Sequence, residues 1–187
     1  MLNLAPAFVV GHSGGGSIAC ELVAHHPGLV RHAVIYEPPL FAAVEGGDRV
    51  AARMRSAVES VLAEHGHRRA MEAFMRANVP DEIVDHAMAS LDPQDRDRVL
   101  DNGAVFIPIE LPAFMSYVPD LDRMRAAGVP ITVVVGEESL DGWPGAATSW
   151  LARGTGARLT RLPGGHVGFL TAPDAFLALI RGLGDGS

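Results

Sequence analysis

The segment Phe8-Val9-Val10-Gly11-His12-Ser13-Gly14-Gly15-Gly16 constrains this chain more than any other. An apolar run meets a glycine-bounded turn, and a helix follows at once. Ile18, Ala19, Leu22 and Val23 share one face of that helix at helical spacing. Pro27 and Gly28 stop it. A Gly-x-Ser-x-Gly turn between strand and helix forces the residue at its apex into a strained backbone conformation. Small residues at Gly11 and Gly15 are expected to let strand and helix approach closely. The Ser13 hydroxyl then projects from the carboxyl end of a sheet.

The rest of the chain supplies that sheet. Ala7–Val10, His32–Tyr36, Ile131–Val135 and Arg158–Leu162 are short apolar runs with little polar alternation, the pattern of buried parallel strands. The last alternates most and reads as an edge strand. A helix over Leu121–Ala127 ends at Gly128. A final helix is signalled by Thr171-Ala172-Pro173-Asp174, with Thr171 as N-cap and Asp174 completing a capping box. Between Phe41 and Tyr117 the character changes. Arg49–His65, His67–Asn78, Asp81–Ser90 and the charged Asp92–Asp101 read as helices, and the proline-containing stretches Phe106–Pro112 and Tyr117–Pro119 lead back to the strands. The expectation is a single α/β domain over residues 1–187, a mostly parallel sheet flanked by helices, with a helical insertion at about 41–117.

Composition narrows the partners. Acidic residues outnumber basic ones, 22 to 15, the net charge is −7, and lysine is absent. Nucleic acid and anionic membranes are poor partners for such a chain. No apolar run approaches a spanning length, and the N-terminus lacks a basic, export-type leader pattern. Cys20 is the only cysteine, which excludes an internal disulfide and fits a cytoplasmic setting. His65-x-His67 lacks the carboxylates that would complete a metal site, so no metal or cofactor is expected.

Ser13 has the position of a nucleophile, and the N–H of Gly14, at the start of the helix, is placed to donate to a developing oxyanion. An activated serine needs a base within hydrogen-bond reach. Of the eight histidines, His12 adjoins the turn and reads as a structural neighbour; His25 and His26 end a helix, and His32 starts a strand. His65, His67 and His86 fall in the helical insertion. His166 differs: it sits in the loop Gly164-Gly165-His166-Val167-Gly168 just after the fourth strand, which can carry an imidazole over the sheet edge to Ser13.

Taken together, the run from Ala7 to Leu40 and the order strand, elbow, helix, strand, helical insertion, strand, strand, histidine loop, helix resemble α/β-hydrolase-fold enzymes of the cofactor-free haloperoxidase and esterase kind. The resemblance implies that Ser13, His166 and the Gly14 N–H take the nucleophile, base and oxyanion roles. It also implies a partial fold, because the family begins with several strands before the elbow. Those strands normally precede the loop giving a second oxyanion donor. With the elbow strand left at an exposed apolar edge, a homodimer through that edge is one expectation.

The acid departs from the family pattern. The usual position, three residues after Gly136, holds Ser139, which cannot stabilise an imidazolium as a carboxylate does. Glu138 and Asp141 lie nearby and are alternatives. Some haloalkane dehalogenases, which resemble this architecture, carry the acid after the strand following the elbow, and here Glu37 ends that strand. A carboxylate ending a buried strand incurs a desolvation cost unless paired, so Glu37 is the favoured acid. The reading is a serine hydrolase acting on a small, apolar, ester-like substrate, with the insertion as a lid lined by Phe74, Met75, Met88 and Phe106. Two alternatives stand beside it: a shortened, non-catalytic or partner-dependent domain, and a dinucleotide binder. The second rests on Gly11-x-Ser13-x-x-Gly16, with Glu37 at nearly the separation of a ribose-binding acid.

Overall fold

The computed structural model describes residues 6–184. In chain order the elements are β1 (Ala7–His12), α1 (Gly14–His25), β2 (Val30–Tyr36), α2 (Gly47–Asn78), α3 (Asp81–Ser90), α4 (Pro93–Asp101), α5 (Gly103–Val105), α6 (Leu111–Ser116), α7 (Leu121–Ala126), β3 (Ile131–Gly136), α8 (Trp143–Thr155), β4 (Arg158–Leu162), α9 (Gly168–Thr171) and α10 (Pro173–Gly184). They divide into two compact units. One is built from the residues up to Glu45 and those from Tyr117 onward; the other is Gly46–Ser116.

The first unit is built on a four-stranded sheet in the order β1-β2-β3-β4, with every neighbouring pair parallel. Each predicted strand is present. β1 runs two residues further than the apolar run alone suggests, through Gly11 and His12, because these still pair with Ile35 and Tyr36. β2 and β3 are buried on both faces, as continuous apolar runs imply. Ala33, Ile35 and Val133 join Ala19, Cys20, Val23, Ala147 and Leu151 in one apolar cluster, which places α1 and α8 on one side. Val34, Tyr36, Val134 and Leu162 form another with Phe169, Phe176 and Ile180, which places α10 on the opposite side. The alternation follows from the two-residue period of a strand.

Helix α8 has no counterpart in the expected element order. It is nonetheless required, since parallel strands β3 and β4 need a crossover connection. Its own signals are local: Pro144 in the first turn and Gly156 in a left-handed C-cap at φ 72°. The expected capping box at Thr171 does not form. Thr171 instead closes α9, and α10 starts at Pro173, with the Ala172 carbonyl accepting from the Phe176 N–H at 3.4 Å. Among the described residues β1 pairs on one side only, and Val10 is 45% exposed. β4 forms the other edge, as its alternation implies.

The second unit is helical. α2 breaks at Gly66, whose φ of 78° and ψ of 177° end one helical stretch and begin the next. Only glycine takes such a conformation cheaply. Asp92 caps α4, its side chain accepting the Asp95 N–H at 2.8 Å. Within the proline-containing stretch that leads back towards the strands, Phe106–Glu110 forms a π-helical turn, and Leu111–Ser116 follows as a short helix. Pro112 comes just after the π-helical turn, where the Leu111 N–H still reaches back to the Phe106 carbonyl. Gly103 fits tightly against α2, since a Cβ there would lie 2.5 Å from the His67 carbonyl oxygen.

Candidate active site

Ser13 is the single residue between β1 and α1, and it sits at φ 51° and ψ −126°. A positive φ at a non-glycine residue is strained, and such strain survives only where the surroundings over-determine it. Here they do. The Ser13 N–H donates to the Tyr36 carbonyl at 2.9 Å, tying the apex to the end of β2, and the Ser13 carbonyl accepts from the Gly16 N–H at 2.8 Å. Gly11 makes the tight passage possible, because a Cβ there would run into the Gly15 carbonyl oxygen and come within 2.9 Å of the Ala19 Cβ. Gly15 contributes only that backbone; a Cβ on Gly15 would meet nothing within 4 Å. The second crowded glycine is Gly16, whose Cβ would lie 3.1 Å from the Pro38 Cβ. The close approach expected of Gly15 therefore belongs to Gly16. The Gly14 N–H opens α1, where the first amides have no intrahelical acceptor.

Among the described residues Glu37 is the other non-glycine residue at positive φ, 41°, and it is 0% exposed. Both carboxylate oxygens are occupied. Oε1 accepts the Gly136 N–H at 2.8 Å, and Oε2 lies 2.8 Å from His166 Nδ1. The Glu37 N–H donates to the Val134 carbonyl at 3.1 Å. The acid is thus held between the carboxyl ends of β2 and β3, and its desolvation is offset by two hydrogen bonds. A carboxylate can only accept, so Nδ1 of His166 is the donor, and in the neutral ring Nε2 is the nitrogen that keeps a lone pair. The His166 side chain is 14% exposed.

The alternative acids are not the partners of His166. Glu138 and Asp141 are exposed; the Glu138 N–H donates to the Gly164 carbonyl at 3.1 Å, which puts this residue beside the histidine loop, but the carboxylate bonded to His166 is that of Glu37. The same geometry disposes of the ribose-binding reading of Glu37, whose oxygens are committed inside the protein.

Two further residues belong to this cluster. His12 Nε2 lies 2.6 Å from the His166 carbonyl oxygen, and the Tyr36 hydroxyl donates to the Gly165 carbonyl at 2.6 Å. Burial first, then the neighbouring His166, pushes His12 down to about 4, against a smaller upward pull from its bond to the His166 backbone and from Glu37. Burial and the nearby Glu37 push the Tyr36 phenol up to about 12. Both are therefore neutral near pH 7. His12 reads as a mere neighbour in sequence because its partner is 154 residues away. Its position beside the apex serine was the only signal available.

Comparisons with known proteins agree with this architecture. A family model described as "Alpha/beta hydrolase family" matches residues 2–179. Lipase LipV of Mycobacterium tuberculosis is 34% identical over 125 residues, covering 63% of this chain and 43% of the lipase. The enol-lactonase of Burkholderia xenovorans LB400 superposes with a TM-score of 0.61 at 19% identity, over 95% of this chain and 65% of that one. MGS-M2, an α/β hydrolase from a Medee basin deep-sea metagenome library, gives 0.65 at 18% identity, over 96% and 65%. The chain thus spans less than half of the lipase and about two thirds of the two solved structures. Among the described residues no helix is long and apolar enough to cross a membrane.

Proposed function

The chain belongs to the α/β hydrolase family, and we propose that within it the chain carries a serine-hydrolase site acting on a small ester-like substrate. Ser13 Oγ attacks the substrate carbonyl carbon while His166 Nε2 takes its proton. The carbonyl oxygen becomes an oxyanion that the Gly14 N–H stabilises. The imidazolium formed is stabilised by Glu37, which also fixes the tautomer that leaves Nε2 free. Collapse of the tetrahedral intermediate breaks the ester C–O bond, and the departing alkoxide takes the proton from His166. The acyl group now rests on Ser13. Water, deprotonated by His166, releases it as a carboxylic acid and restores the serine.

The observation that carries this reading is the 2.8 Å bond between His166 Nδ1 and a fully buried Glu37, in the same sheet unit as a strained Ser13. The relatives add a substrate class, since one is named a lipase and another an enol-lactonase. Both names point to acyl-oxygen bonds. The test is labelling by a fluorophosphonate probe, with digestion and mass spectrometry to locate the adduct. Modification of Ser13, lost in Ser13→Ala, is the expected result. A folded protein that does not react, or reacts equally as Ser13→Ala, contradicts it.

A second reading, a domain that works only with a partner strand, is favoured by the side of β1 that pairs with no strand among the described residues and by the exposure of Val10. Such an edge is a template for pairing. Light scattering after size exclusion tests its simplest form, a homodimer, which a monodisperse monomer contradicts.

A further inference from the structure

We infer that His12 and Tyr36 are positioning residues that clamp the histidine loop from beneath by holding two successive carbonyls. The Tyr36 O–H donates to the Gly165 carbonyl and the His12 Nε2–H to the His166 carbonyl, each at 2.6 Å. A carbonyl oxygen can only accept, so His12 must be the Nε2–H tautomer. The inference rests on the reading of His166 as the base, but it concerns what keeps that base in place.

The two donors are not scattered. His12 is the last residue of β1, Tyr36 the last of β2, and the two are paired partners in the sheet register. They form a rigid platform at the sheet's carboxyl edge. The loop above is the opposite: Gly164, Gly165 and Gly168 surround His166, with Gly164 at φ 86°. A glycine-rich segment loses much conformational freedom when it is fixed. Glu37 holds the imidazole by its ring; the clamp holds the backbone that carries the ring. Gly168 is fitted to the platform, because a Cβ there would collide with the Tyr36 hydroxyl. The Phe169 ring packs edge-on against His12, with centroids 4.8 Å apart. His12, the first of the two variable residues of Gly-x-Ser-x-Gly, thereby links the nucleophile's strand to the base's loop.

A His12 that only fills space and one that donates a hydrogen bond predict opposite rankings of two substitutions. His12→Phe keeps a ring and loses the donor. His12→Gln loses the ring and keeps a donor near the Nε2 position. The experiment reads two quantities on the full chain: the downfield proton NMR signal of His166 Nδ1–H, and the rate of fluorophosphonate labelling at Ser13. Thermal unfolding confirms that each variant is folded. The expected result is a sharp Nδ1–H signal in the wild type and in His12→Gln, with labelling within about threefold of each other. In His12→Phe and Tyr36→Phe the signal broadens and labelling slows by roughly ten- to a hundredfold, the scale of a small misplacement of a reacting group. His12→Gln behaving as badly as His12→Phe overturns the clamp, as does a His12→Phe that matches the wild type in both readouts. If the signal depends on His12 as expected while Ser13 is never labelled, the clamp stands and the hydrolase reading fails. If His12→Phe is labelled normally, the hydrolase reading stands and the clamp falls.

Discussion

In the sheet unit, Ala33, Val34, Ile35, Val133, Val134 and Val135 are fully buried, whereas the 32-residue α2 of the helical unit buries only Gly47, Ala51, Val58 and Ala70. The helical unit carries its contacts differently. Arg68 pairs with Asp97 and Asp101, and Arg76 with Asp81 and Asp85, all on the surface. Its Phe74 and Phe106 rings pack with centroids 4.8 Å apart, and both residues are partly exposed. Burial of apolar area is the large favourable term in folding, while exposed ion pairs contribute little. The comparison teaches where rigidity lies. Both strained residues, Ser13 and Glu37, stand at strand ends of the sheet unit, where surrounding packing can sustain an unfavourable φ.

The largest stability effect that can break this contrast is in the sheet. Ile35→Ala truncates a fully buried side chain of β2, packed with residues of α1 and α8, and is expected to cost about 2–5 kcal/mol, read by denaturant unfolding. A cost below about 1 kcal/mol would mean the sheet core is loosely packed.

Next comes a pH effect lodged in the same unit. Folded His12 titrates near 4 and an unperturbed histidine near 6.5. Between those values the unfolded chain holds a proton that the folded chain does not, so stability falls as pH drops from about 6.5 towards 4. The loss is on the order of 2–3 kcal/mol. His12→Gln, which cannot titrate, is expected to flatten this slope in thermal melts taken across that range. An unchanged slope would place the titration elsewhere.

The smallest effect is expected in the helical unit. Arg68→Ala and Arg76→Ala should leave the unfolding midpoint of the protein unchanged within error, in low salt and in high. A clear, salt-dependent drop would show that the surface pairs carry this unit after all.

Much of this was readable because burial writes directly into sequence. The strands are legible as apolar runs, since both faces of β2 and β3 are covered, and the break in α2 is legible at Gly66. Glu37 stood out because a carboxylate ending such a run needs a partner. What escaped depended on contacts between distant segments. Gly15 and Gly16 are indistinguishable in a run of three glycines, and only the position of Pro38 shows which one is crowded. His12 meets the His166 backbone across 154 residues. Helix α8 is marked only by its caps, Thr171 was claimed by the turn before it, and the π-helical turn at Phe106–Glu110 hides behind its proline.

The pairing of Glu37 with His166 is the centre of the account, and one comparison tests it. Rates of fluorophosphonate labelling are measured for Glu37→Gln, Glu138→Gln and Asp141→Asn, each beside the wild type. Gln at 37 can still accept the Gly136 N–H through its carbonyl oxygen, but it turns an amide N–H towards His166 and favours the wrong tautomer. The account predicts a loss of roughly 10⁴-fold for Glu37→Gln, the scale seen when a triad acid becomes its amide, and rates within about twofold of wild type for the other two. An unimpaired Glu37→Gln, or an equal loss in Glu138→Gln or Asp141→Asn, would contradict it.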